Sequence, residues 1–168
     1  MNIQTFLVIG SLVALTYTIL NINSKVGTET TWELNNEAVF TATGIGQSLL
    51  QEIELKAFDE NTISVRRTST DSLTTTAHIG KDSGESVEST FDDFDDYNGY
   101  VKTNTLERLG VFTANIDVYY VTTMSPEVKS VNRTFSKRID IYVSNQYLLD
   151  TLKFSKIASY WVVIKWID

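Results

Sequence analysis

The 168-residue chain is long enough for one domain with a real core and one further element, and it carries 21 acidic against 14 basic residues, a net charge of −7. That balance argues against a nucleic-acid partner, because neutralising phosphates takes clustered Lys and Arg. With no cysteine, one histidine (His78) and one proline (Pro126), the chain has no disulfide frame or thiolate metal site and little equipment for catalysis.

The first element is apolar. No charged side chain precedes Lys25, and residues 3–22 read IQTFLVIGSLVALTYTILNI. As a helix these 20 residues span about 30 Å, the thickness of a bilayer core. Gln4, Thr5, Ser11, Thr16, Thr18 and Asn21 punctuate the run, and Gly10 and Ala14 form a small-xxx-small pair that lets a second helix approach closely. A cleaved secretory signal would have a basic lead and a small-residue cleavage site; neither occurs before or within the following KVGTETTWELNNEAVF. A simple membrane anchor is the plain alternative.

From Leu34 the apolar residues Ala38, Ala42, Ile45, Leu49 and Ile53 follow at steps of four, four, three, four and four. This stripe predicts an amphipathic helix to about Ala57, where Phe58-Asp59-Glu60-Asn61 ends the pattern. Joined to the apolar run, it makes a helix on the order of 80 Å long. Gly27 and three threonines make 26–31 the place for a kink or an unwound stretch.

Strand signals follow at 62–67 (TISVRR), 73–79 (LTTTAHI), 111–123 and 134–143, with one or two more strands in the apolar run 148–167. Within 134–143, Ile139, Ile141 and Val143 alternate with Arg138, Asp140 and Tyr142, the pattern of a strand with one wet face. A short helix is expected at 103–109. The expected fold is α+β: a long N-terminal helix, apolar then amphipathic (1–57, divided at 24/25), packed on an antiparallel sheet of four to seven strands in a head over 58–168.

Between Lys81 and Lys102 there is no base, and Asp82, Glu85, Glu88, Asp92, Asp93, Asp95 and Asp96 supply seven acids. Asp92, Asp93, Asp95 and Asp96, with the Asn98-Gly99 turn after them, are a candidate calcium site. Their spacing is not that of an EF-hand, and carboxylates capping backbone N–H groups are the alternative. Residues 129–165 are basic, which sets Asp92 and Asp93 of one subunit against Lys137 and Arg138 of a neighbour as an inter-subunit contact; the alternative is pairing within one subunit. His78, without a second histidine or a cysteine, reads as structural. No GxSxG or phosphate loop is present (Gly44-Ile45-Gly46 lies within the helix), so no enzyme is expected. Asn132-Arg133-Thr134 matches the glycosylation sequon, and Trp161 and Trp166 read as a last strand packed on the helix or a surface-binding patch.

An uncharged apolar N-terminus that continues as an amphipathic helix before an all-β head resembles the type IV pilin superfamily. Residues 91–100, FDDFDDYNGY, are similar to the D-x-x-D-D-[FY]-x-G-[YW] stretch of minor pilins of the mannose-sensitive haemagglutinin type. The resemblance implies a structural subunit of an extracellular filament serving adhesion or motility. Such a subunit is held in the inner membrane before an assembly machinery builds it into a polymer of identical copies, with no cofactor required. Gln4, Thr5, Phe6, Gly10 and Ala14 would then lie at the polymerisation contact. A membrane-anchored or filament-tip binding module, as in minor pilins and pseudopilins, is the alternative. Thr5 stands where the family usually has glutamate, and the kinking proline and basic leader are missing; the expectation is that Met1 is the processed N-terminus.

Overall fold

The computed structural model describes residues 2–160. One helix, α1, runs from Ile3 to Glu54, 52 residues or about 78 Å. It passes through 26–31 without a break, so the chain does not unwind there: poor propensity costs only tenths of a kcal/mol per residue, less than interrupting an established helix. The helix ends at Leu55, where the Leu55 N–H reaches the Glu52 carbonyl and the Lys56 N–H that of Ile53, close to the expected Ala57. Its second half buries the expected stripe: Ala38, Ala42, Leu49 and Ile53 are buried and Leu34 and Ile45 half-buried, while Phe40 on another face is 84% exposed.

The stripe packs on a four-stranded antiparallel meander of β1 (Val101–Leu106), β2 (Gly110–Tyr120), β3 (Ser136–Ser144) and β4 (Leu152–Ser159), in that order. Alternation decides which face meets the helix. In β2, Phe112, Ala114, Ile116, Val118 and Tyr120 point inward, and the register sets Ile116 against Ile141 and Val118 against Ile139 of β3. Gly46 admits the Phe154 ring of β4 against the helix; a Cβ there would stand 2.3 Å from it. Gly110, at φ +74°, closes the β1–β2 hairpin in a backbone region that favours glycine.

Two expected strands and the expected short helix are corrected. Residues 62–67 and 73–79 form no ladder; they lie in bends and turns on either side of the 3₁₀ turn Thr70–Ser72. Their backbone groups go to side chains instead: Asp59 accepts from the N–H groups of Asn61 and Thr74 and from the Thr74 hydroxyl. Short polar side chains of this kind compete with strand pairing, so β-branched content alone does not make a strand. Residues 103–109 are the end of β1 and its turn, because pairing with β2 overrides weak helix propensity. Of the run 148–167, β4 takes 152–159; the part beyond 160, with Trp161 and Trp166, lies outside the described residues.

Candidate functional site

Two regions carry the sequence-derived candidates. The first is the N-terminal half of α1. Residues Ile3–Asn23 are long and apolar enough to cross a membrane, a property that a signal sequence shares, and the head buries none of this stretch. Phe6, Leu7, Val8, Ile9, Leu12, Val13 and Leu15 are each at least 49% exposed, so apolar surface covers every side of the helix. Three of its hydroxyls and one amide bond back to the helix: Ser11 donates to the Val8 carbonyl, Thr16 to Leu12, Thr18 to Ala14 and Asn21 to Tyr17. Gln4 and Thr5 make no such side-chain bond among the described residues, and Gly10 has open space where a side chain would begin.

The second region is the acidic stretch, and its residues turn inward. Phe91, Phe94 and Tyr97 are buried feet: Phe94 meets Phe58 edge-on at 5.9 Å, Phe91 meets Tyr97 at 5.0 Å, and the Tyr97 hydroxyl donates to Glu52 of α1 at 3.0 Å. Asp93 Oδ1 accepts from the N–H groups of Asp95 and Asp96 at 2.7 and 3.2 Å, and Asp96 Oδ2 from those of Asp92 and Asp93 at 3.0 and 3.2 Å. The two carboxylates therefore cap the turn reciprocally. Asn98 accepts from the Val118 N–H and donates to the Ile79 carbonyl, and Gly99, at φ +74°, donates its N–H to Ile116. The motif is a clasp joining the end of α1 to the edge of β2.

Lys137 of β3 meets this clasp from the sheet, fully buried. Its ammonium donates to the Phe58 carbonyl at 2.8 Å and Asp59 Oδ2 at 3.0 Å and forms an ion pair with Asp95 Oδ1 at 2.7 Å. The Phe58 and Tyr120 rings face it at 4.7 and 4.9 Å. Burial opposes ionisation of Asp59, but Lys137, Tyr120 and Thr74 outweigh it and hold the carboxyl below its usual range. Burial first, then the Asp95 charge, push Asp93 well above the carboxylate range, against the pull of Lys137. One ammonium thus lies between Asp59 and Asp95, while Asp93 is the carboxyl of the three whose ionisation burial and its neighbours most oppose.

This overturns the expected inter-subunit pairing for Asp93, Lys137 and Arg138. Asp93 and Lys137 are inside one subunit, and Arg138 is spent on Asp140 at 2.8 Å and Glu127 at 2.7 Å. Only Asp92 of the four is exposed. The four-aspartate calcium site is corrected as well: Asp93 and Asp95 are committed to the turn and to Lys137, whereas carboxylate oxygens of Asp92, Asp96 and Glu85 lie within 4.8 Å of one another. Spacing along the chain missed Glu85 as a partner and Asp59 altogether, since neither is adjacent to the aspartate run; the base-free stretch after Lys81 was the available signal for Glu85. The Glu85 carboxyl is pushed up to about 7, chiefly by its contact with Asp96 and then by burial.

The outer face of the sheet holds a second polar cluster. Asp140 is 1% exposed and accepts from Arg138, Ser155 and Tyr119, with Lys153 at 3.0 Å. Burial raises its pKa, but these donors together hold it down at about 2. A depressed carboxyl stabilises the fold above its ordinary value of 3.8, and the contribution is lost as the pH falls through about 2. Asp140→Asn is therefore expected to lower stability by about 2 kcal/mol near pH 7, with the gap to wild type closing as the pH falls toward about 2. Urea unfolding midpoints across that range check it, and a gap independent of pH would contradict the ionic role. His78 is in an exposed turn bonded to Thr75 Oγ1 at 2.5 Å, not in a strand, and Asn132 lies in an exposed turn as expected.

Compared with known proteins, the chain matches no family model, no curated protein and no solved structure.

Proposed function

We propose that the chain is a structural subunit of an extracellular, type IV pilin-like filament that polymerises through the apolar half of α1. The observation that carries this reading is one unbroken helix that is apolar on every side for its first half and part of the head's core in its second. A helix hydrophobic all round needs lipid or other helices around it. A plain anchor needs only to span the bilayer. Here the same rigid helix also forms a wall of the head and so fixes the head's orientation to the apolar segment, as a regular polymer requires.

Exchange of lipid for neighbouring helices gains no hydrophobic energy, so packing and polar contacts select the partner. Back-bonded hydroxyls suit both environments. Gly10 and Ala14 are the close-approach face, and Gln4, Thr5 and Phe6 lie at the end where an inter-subunit polar contact would stand in for the family's glutamate. The role is structural rather than catalytic, since the clasp carboxylates are held by Lys137 and by backbone N–H groups.

Gly10→Leu is expected to abolish filaments while membrane insertion continues. Electron microscopy of sheared surface material, with mass spectrometry of its main band, reads this directly. Normal filaments from the variant would overturn the close contact, and a chain found only in trace amounts would favour the tip or anchored binding module.

A further inference from the structure

Beside the Lys137 network lies a separate group of acids assembled from three segments. Glu60 comes from the 3₁₀ turn after α1 (Glu60–Thr62), Asp82 and Glu85 from the turn that the Glu85 N–H closes onto the Asp82 carbonyl, and Asp92 and Asp96 from the clasp. Carboxylate oxygens of Glu85, Asp92 and Asp96 fall within 4.8 Å of one another. The Glu60 and Asp92 carboxyls are also within hydrogen-bonding reach, as are those of Glu85 and Asp96. The nearby bases are committed elsewhere: Lys56 gives its ammonium to the Phe91 carbonyl at 2.7 Å, and Lys81 sits over the Phe91 and Tyr100 rings.

Asp96 separates this group from an ordinary solvated acidic surface. It is 1% exposed, and the Asp92 and Asp93 N–H groups hold its Oδ2, so that the buried Oδ1 has no donor. Buried Glu85 Oε2 has none either. Buried carboxylate oxygens facing one another without donors are costly unless a cation joins them.

We propose that Glu85, Asp92 and Asp96 bind a hard divalent cation, with Glu60 and Asp82 adding negative charge around it. Calcium fits this set better than magnesium, because calcium takes six to eight oxygens in flexible geometry whereas magnesium is usually held by one or two carboxylates and water. The cation straps the Asp82–Glu85 turn to the clasp, two segments that no strand ladder joins, and its ligands come from outside the buried Asp59–Lys137–Asp95 network.

The test uses the full chain in a non-ionic detergent, stripped with chelator and titrated with CaCl₂ to about 10 mM, ten times the weak end of extracellular calcium modules. Calorimetry is expected to show one calcium per chain, and Tm to rise by roughly 5–10 °C at a hundredfold excess over Kd. Glu85→Gln and Asp92→Asn should each weaken binding by about tenfold or more. Asp117→Asn, an exposed acid on β2, should leave it unchanged. Both variants avoid the buried Asp96, so loss of binding can be read in a folded chain. The proposal is overturned if wild type ignores calcium, as a shared proton alone would have it, or if all variants bind alike. A Tm rise with MgCl₂ equal to that with CaCl₂ overturns the choice of calcium.

Discussion

Lys137→Met is expected to cost about 3–5 kcal/mol, a large part of the roughly 5–15 kcal/mol that holds a domain folded. Methionine matches the length of the lysine stem and packs beside Phe58 and Tyr120, so little volume is lost. What is lost is the cation between Asp59 and Asp95, which are 0% and 2% exposed and have no route to water. Breaking a buried pair from one side is far more damaging than replacing both sides, because the remaining charge is uncompensated. Asp59→Asn and Asp95→Asn added to Lys137→Met should therefore recover much of the loss, a non-additivity that a mutant cycle measures. Urea unfolding is the readout, in a chain shortened to begin near Thr28. Such a chain omits the apolar segment but keeps every helix residue that enters the core, the first of which is Leu34, and is expected to be soluble and monomeric. An unchanged midpoint for Lys137→Met would mean that the clasp stands without its ion pairs.

Ile53→Asp is the second large effect: the shortened chain should fail to fold, and Leu49→Asp should do the same. Both side chains are buried on the helix face that meets the sheet, at 0% and 2% exposure. Each substitution removes about 2–5 kcal/mol of apolar packing and also places a carboxylate where nothing pairs with it. Leu55→Asp, two residues beyond Ile53 but 86% exposed, should change stability by no more than about 0.5 kcal/mol. The contrast tests the orientation of the helix rather than its existence. If the circular dichroism and melting temperature of Ile53→Asp matched those of Leu55→Asp, the buried face would be misplaced.

The sequence by itself determined the long helix, the division between its halves and the face it buries. Each is a local periodicity, written in residues three or four apart, and Ala38, Ala42, Leu49 and Ile53 are buried as their spacing requires. The alternation of β2 was legible for the same reason, whereas the wet face expected for β3 is not there: Arg138 and Asp140 are buried in a polar cluster that the pattern of one strand does not show. Only the tertiary structure decided where the charges go. Asp59, Asp95 and Lys137 are 36 to 78 residues apart in the chain, and whether an acidic stretch faces water, a neighbour or its own core depends on a register that no short motif contains. Spacing along 91–100 likewise could not distinguish Asp92 and Asp96, which face Glu85, from Asp93 and Asp95, which face the clasp and the sheet. That choice is made by a 3₁₀ turn of three residues, Asp95–Tyr97, whose direction is set by the aromatic feet it buries beneath α1.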